Sequence, residues 1–486
     1  MFFNNSLLLC ALMFLSLSAS AQSKEDTIFI DEAFLKESLK ENPPTIDQIN
    51  ATLYGAKIEE SQIDDRFNTS LEASGNYYKT DEKQFATFIP VTSPTTNYEV
   101  KVTRGFTNGV SVGLRGFTDQ FSNNFVRDAS TTGVSVLLGV NLWKDLISGR
   151  TKSQLERARA NSEQAKWEKE IALATFQNSL RKIYWSMVAN EEALKISRAL
   201  IKTSEKQVKE AQRRFKNNIA DEGEVARYQS QLSARKANII SLQYEKESIV
   251  QQLKELLPHV SLKEIKLKPY SIEDTIGKVL ACTATIASEG APPLKNTHYD
   301  EIVEMLSKKE DLEEKINNSY DDIDVEFQSE FGLKGRSNSR SDSLSDLGDD
   351  GRDNLAVGLT LSIPLESKKK TTREILNKAT KLRYRSQKQR EMARIKAYHT
   401  QTVRQVSLLR EMIRNQQQNT KFLGQSLKTS KKKYNQARLT VEQLVQEQDS
   451  YLQSNLDEIR TKLTVINTLF DYLSVYTQTP CSLNNI

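Results

Sequence analysis

Apolar and polar residues are set out along this chain in two different rhythms. In the tracts leading up to residues 146 and 366 they alternate singly, and beyond those points apolar residues recur at every seventh position. Single alternation marks a strand with one apolar face, whereas a 3.5-residue period held over many turns marks a long helix coiled against neighbours. Leu173, Leu180, Met187, Leu194, Ile201, Val208 and Phe215 keep strict seven-residue steps, with a second, weaker line through Phe176, Ile183, Asn190, Ser197 and Ser204. The weakening of that second line predicts a buried stripe that narrows toward the far end. Residues 146–257 contain no Pro and only Gly149 and Gly223, as very long helices require. The pattern predicts an outgoing helix of roughly 65–70 residues, on the order of 100 Å long. A break follows at Phe215-Lys216-Asn217-Asn218, and then a shorter returning helix seamed by Val225, Leu232, Ile239 and Leu253.

Adding 219 to the outgoing seam gives Met392, His399, Val406, Ile413, Thr420, Leu427 and Tyr434, with a companion line through Ile395, Leu409 and Leu423. A second break at Tyr434-Asn435-Gln436-Ala437 and a return through Leu444, Tyr451, Val465 and Tyr472 complete the parallel. The chain therefore reads as two internal repeats. His399 lies in the seam, where a satisfied core histidine is the expected role.

The alternating tracts precede each long helix. In the second half Val325, Phe327, Phe331 and Leu333 alternate with Asp324, Glu326, Gln328 and Glu330, and Leu355, Val357, Leu359 and Leu361 alternate with Ala356, Gly358, Thr360 and Ser362. Each run spans about ten residues, the length of a tilted strand that crosses a bilayer. The Ser-, Asp- and Gly-rich stretch from Arg336 to Asn354 reads as an exposed loop. The first half has more strands: Leu71 to Tyr78, Tyr98 to Arg104, Val110 to Phe117 and Val134 to Trp143, with a hairpin signal at Thr107-Asn108-Gly109. Tyr77, Tyr78, Tyr98, Phe117, Trp143 and Phe331 are candidates for an interfacial aromatic belt or for ordinary strand positions.

Composition narrows the function. Charged residues make up 27% of the 486, yet the net charge is only +5 and the signs are interleaved, which disfavours nucleic acid as a partner. The three His and three Cys are scattered, so no metal or haem motif forms and no cofactor is expected. Leu7 to Leu17 is apolar apart from Ser16 and precedes Ala19-Ser20-Ala21, which reads as a removed secretory signal over residues 1–21. Cys282 and Cys481 then remain in an oxidising compartment as a candidate disulfide. No Ser-His-Asp or Cys-His grouping is legible, and the chain is not expected to be an enzyme.

A few amphipathic strands per chain leave open edges, which lipid does not tolerate, so several chains must share one barrel. With Leu39-Lys40-Glu41-Asn42-Pro43 after a short helix, Asn141-Leu142-Trp143 and Ile363-Pro364-Leu365 at the strand-to-helix junctions, and an acidic-aliphatic pair at Glu224-Val225 after the first tip, the sequence resembles the TolC-type outer membrane efflux protein family. The resemblance covers nearly the whole mature chain. It implies an α+β membrane protein in which long antiparallel coiled helices form a trimeric periplasmic α-barrel continuous with a shared outer-membrane β-barrel. It further implies the channel component of a tripartite efflux or type I secretion system: a passive gated conduit and homotrimer in outer membrane lipid, served by a periplasmic adaptor and an inner-membrane pump or exporter. The adaptor-docking tips would be Asn217, Asn218, Ile219 and Ala220 with Ala437, Arg438, Leu439 and Thr440. Asn218 and Ala437 replace the usual tip glycine, and since Ala fits a left-handed turn poorly, the second turn is expected to be looser. The aperture positions are Tyr434, Glu442, Gln443, Gln446 and Glu447, with Gln where the family commonly has an acidic ring.

On this reading residues 22–66 form an N-terminal periplasmic helical segment, 67–145 the first strands, 146–257 the first helical hairpin and 258–320 an equatorial connector. Residues 321–365 supply the second strands, 366–478 the second hairpin and 479–486 a tail. Asp324, Glu326 and Glu330 would face the lumen and favour cations. The extra hairpin from Tyr98 to Phe117 departs from the family's two strands per half, and alternation does not decide whether it widens the barrel or folds outside it. An exported structural coiled coil without a pore is the alternative.

Overall fold

The computed structural model describes residues 27–82, 91–123, 128–261, 263–289, 297–319, 323–348, 353–363 and 368–476. The expected signal, the C-terminal tail with Cys481, and Pro364-Leu365 lie outside them. Eight strands are present among these residues: β1 (Thr27–Ile30), β2 (Thr69–Tyr78), β3 (Thr95–Gly105), β4 (Val110–Phe121), β5 (Ala129–Asn141), β6 (Glu264–Leu267), β7 (Asp324–Ser337) and β8 (Asp353–Ser362). The helices are α1 (Glu32–Ser38), α2 (Pro44–Asp64), α3 (Arg150–Lys216), α4 (Glu222–Leu256), α5 (Ile272–Glu289), α6 (His298–Asn318), α7 (Arg340–Ser345), α8 (Lys368–Asn435) and α9 (Val441–Val475). α3 and α8 have 67 and 68 residues, while α4 and α9 have 35 each, so α9 begins and ends 219 positions after α4.

The chain divides into two compact units. One, built from residues 49–172 and 292–398, contains a six-stranded sheet in the order β2-β3-β4-β5-β7-β8, every neighbouring pair antiparallel. The hairpin β3–β4 sits inside this sheet, between β2 and β5. Its turn places Gly109 at φ +81, and a Cβ there would meet that of Asp145 at 2.4 Å, so the turn needs glycine. β5 ends earlier than the alternation suggested, because the side chain of Asn141 accepts from the amides of Lys144 and Asp145 and starts a helical turn over Leu142–Ile147 that takes up Trp143. β7 in turn runs on to Ser337, and the stretch expected as an exposed loop contains α7, whose Ser343 is fully buried and shares hydroxyl contacts with Thr132 at 2.7 Å and Ser130 at 3.2 Å. In the helical part of this unit, Ile302, Leu306 and Tyr384 pack with Trp167 and Ile171.

The other unit, residues 27–48, 173–291 and 399–476 of those described, is a packing of helices with one parallel strand pair, β1–β6. Leu180, Met187 and Leu194 of the outgoing seam are buried, with Leu194 joining Ala189, Ala193, Leu242, Leu456 and Ile459. Nearer the turn the apolar line leaves the interior: Phe215 is 45% exposed, and Ser197, Ser204 and Ala211 take the buried positions. The stripe moves onto the second line because small side chains let helices approach closely, and the hydroxyl of Ser204 accepts a hydrogen bond from Arg235. Arg181, also buried, pairs with Glu32 at 2.6 Å and lies 4.1 Å from the centre of the Phe470 ring, while the Trp185 indole donates to the same carboxylate at 2.8 Å. Removing one partner would strand a buried charge.

Candidate channel wall and tip

Strand alternation and register divide the sheet's side chains between two faces. Leu71, Val100, Val102, Val112, Leu114, Val134, Val136, Phe331, Leu333, Leu355, Val357 and Leu359 share one, and many are about half exposed or more, up to 71% for Leu71. An apolar surface of this extent is not left to water in a stable soluble chain. The opposite face carries Glu99, Lys101, Arg115, Asp324, Glu326, Gln328 and Glu330, and of these Glu99, Lys101, Arg115, Gln328 and Glu330 line a hollow of about 600 Å³.

The three acidic residues expected in a lumen do share that polar face, but two of them are compensated. Arg115 pairs with Glu99 at 2.9 Å and with Glu330 at 3.2 Å, and Lys144 pairs with Asp324 at 2.7 Å. Both cations escaped the sequence reading because their partners lie 16 to 215 positions away and only the strand register joins them. Phe117 is not a belt residue: it points to the polar face, 8% exposed, where Gly133 leaves room for the ring and Arg115 and Lys334 lie over it.

At the far ends of the long helices the two turns are built alike. Asn218 and Ala437 adopt φ of 59° and 56°. The Ile219 amide donates to the Arg214 carbonyl at 2.8 Å and the Arg438 amide to the Lys433 carbonyl at 2.9 Å, the six-to-one bond of a Schellman cap. The second turn is therefore as tight as the first. Its Cβ strain is borne by the caps that hold it, since Thr440 and Gln443 form a reciprocal capping box and Asp221 caps the first return by accepting from the Glu224 amide. Asn217, Asn218, Ile219, Ala437, Arg438 and Thr440 are exposed, and Ala220 and Leu439 half-buried.

The aperture residues do not form one cluster within a chain. Gln443 is committed to the cap, Glu447 accepts from Ser426 at 3.0 Å, and Glu442 stands 3.5 Å from Arg227. Gln446 lines a cleft of about 1260 Å³ together with Arg227, Gln231, Arg235 and Asp449. Arg235 is a buried residue that the sequence pattern hid: it donates to Gln448 at 3.0 Å and to Asp449 at 3.1 Å. Tyr434 behaves differently. Its hydroxyl donates to Glu224 at 2.5 Å, and Arg214 reaches that same carboxylate at 2.8 Å and the phenol oxygen at 2.7 Å. Burial first, and then the bond to Glu224, push the Tyr434 phenol above its ordinary value, so it stays a donor.

Residues 109–259, from the turn of the inserted hairpin through α3 and α4, match the outer membrane efflux protein family. No curated protein sequence matches the chain. Among solved structures this chain is similar to the outer membrane protein VceC of Vibrio cholerae, at 15% identity and a TM-score of 0.63 over 91% of this chain and 95% of that one. The CmeC outer membrane channel of Campylobacter jejuni gives 12% identity and 0.59 over 96% and 93%. The open state of the MtrE outer membrane channel of Neisseria gonorrhoeae gives 13% and 0.60 over 91% and 88%. At these identities the likeness establishes the fold. No helix among the described residues is long and apolar enough to cross a membrane. Cys282 is disulfide-bonded, and its expected partner Cys481 lies outside the described residues.

Proposed function

We propose that this chain is the outer membrane channel of a tripartite efflux or type I secretion system, a passive gated conduit that opens the periplasm to the exterior. One observation carries the reading above the others: a sheet apolar on one face and charged on the other, whose edge strands among the described residues are β2 and β8. Such a sheet is satisfied neither in water nor alone in lipid. Copies joined edge to edge, taken here as a homotrimer, bury both edges, turn the apolar face to lipid and line a polar lumen.

The duplicated helices continue that wall into the periplasm, with energy supplied by an inner-membrane pump or exporter. The exposed tips at Asn217–Ala220 and Ala437–Thr440 receive a periplasmic adaptor. The Arg214–Glu224–Tyr434 cluster holds the tip shut, because it ties both outgoing helices to the first return. A bridge from Cys282 to Cys481 fastens the C-terminal tail to α5. The test is purification of the exported protein from outer membranes, followed by conductance in planar bilayers and projection imaging. Hollow oligomers that conduct uphold the reading. A detergent-stable monomer without conductance overturns it.

A further inference from the structure

We propose that the inserted hairpin Thr95–Phe121 is part of the membrane wall, so that three copies close an eighteen-stranded barrel in which β8 of each copy meets β2 of the next. This rests on the trimeric channel reading given above and deepens it, since it specifies what the wall consists of.

The pairing argues for it first. β2 is joined to β3 from Thr69↔Arg104 to Tyr78↔Thr95, and β4 to β5 from Val110↔Val140 to Phe121↔Ala129. Among the described residues β2 has no other strand neighbour, so the hairpin cannot swing out of the wall without cutting β2 away from the rest.

The side chains agree with the pairing. Val100, Val112 and Leu114 of the hairpin are 51%, 42% and 56% exposed and continue the apolar face between Leu71 on β2 and Val134 and Val136 on β5. Glu99 and Arg115 of the same hairpin face the other way, where Arg115 reaches Glu330 on β7. A hairpin packed outside the wall would have no reason to keep lipid-type residues on one side and an ion pair to Glu330 of β7 on the other.

The ends agree as well. Six strands that alternate in direction leave β2 and β8 antiparallel to each other, so every junction between copies is antiparallel too and the ring closes without a mismatched pair. With strands about 4.8 Å apart and tilted about 40°, eighteen of them give a backbone diameter of about 36 Å, against about 24 Å for twelve. The outer mouth is then of porin width and is not the part that sieves cargo.

Electron cryomicroscopy of the full chain in lipid nanodiscs counts the strands directly. Eighteen in cross-section, with residues 95–121 in the wall, is the expected result. A hollow trimer with twelve strands and the hairpin outside overturns this inference and leaves the channel reading standing, whereas absence of a hollow trimer removes both. Cysteine labelling gives an independent readout on variants recovered as the native oligomer, measured over the wild-type background. Lys101→Cys and Thr103→Cys should react with a membrane-impermeant maleimide, and Val100→Cys and Val102→Cys only with a lipid-soluble one. Uniform reaction of all four with the impermeant reagent would show a hairpin in water and refute the proposal.

Discussion

The phenol of Tyr434, on α8, donates to the carboxylate of Glu224, on α4, across 210 positions of sequence. Arg214 of α3 closes the triangle from a third helix. Tyr434→Phe removes the donor and leaves the carboxylate to Arg214 alone, at a cost of about 1–2 kcal/mol in the tip contact. The expected outcome is a several-fold rise in mean conductance in planar bilayers with the oligomer intact. Because the phenol is raised above its usual value, its contribution is fully present below pH 10 and is lost only as pH climbs through the raised value. The wild-type conductance should therefore not change through this group between pH 6 and 9, and a phenylalanine variant with unaltered conductance would remove Tyr434 from the gate.

Ala437 holds a left-handed backbone that costs an L-residue with a Cβ about 1 kcal/mol. Ala437→Gly should raise the thermal midpoint and Ala437→Val lower it, because a β-branched residue fits that region worse still. Calorimetry on the detergent-solubilised oligomer checks the order of the three.

His399 is buried, with Nδ1 3.0 Å from the Tyr472 hydroxyl and the Tyr476 ring beside it, and burial lowers its affinity for a proton. A depressed value in the folded state means that the unfolded chain takes up the proton first, so the contribution present above pH 6.5 is lost as pH falls through the folded value. The thermal midpoint of the wild type should drop more between pH 7 and pH 5 than that of His399→Gln. Parallel pH profiles for the two would show that His399 is not the group responsible.

A Cβ at Gly335 would lie 2.0 Å from the Ser343 carbonyl oxygen. Gly335→Ala must push α7 off the sheet and break the hydroxyl cluster of Ser130, Thr132 and Ser343. The expected result is faster cleavage of the β7–β8 segment by protease added to intact cells, with the amount of assembled protein unchanged. Ser343→Ala, which removes the hydroxyl and leaves the helix room to stay, should show a smaller increase.

The ion pairs on the polar face weaken the cation preference that Asp324, Glu326 and Glu330 suggest on their own. Arg115→Gln frees both Glu99 and Glu330, so reversal potentials under a salt gradient should shift toward stronger cation selectivity than in the wild type. A shift toward anions would mean that this face does not line the conduction path.

The long helices could be read from sequence because a seven-residue step over many turns has no other explanation, and the tips could be placed because both breaks fall at matching positions. Legibility failed where distant residues decide. Arg115 and Lys144 gain partners only through strand register, and Phe117 looked like a belt aromatic because its alternation does not reveal the space above Gly133. α7 was hidden because five polar residues and one leucine carry no period, and the burial of its Ser343 depends on two hydroxyls of β5, Ser130 and Thr132, more than 200 positions away. Arg235 sits inside an apparently solvated helix face, and its place becomes clear only once Gln448 and Asp449 are opposite it.

Along α3 the material of the inner seam changes from Leu180, Met187 and Leu194 to Ser197, Ser204 and Ala211. The first group is cemented by dispersion and apolar burial, which water cannot replace. The second has small side chains and one guanidinium bond, from Arg235 to the Ser204 hydroxyl, for which water is a ready substitute. Parting the helices around Ser204 thus exchanges one polar partner for another, while parting them before Leu194 exposes hydrocarbon. A motion that loosens this bundle should pivot near that residue, with the wetter stretch swinging and the oily stretch serving as its anchor.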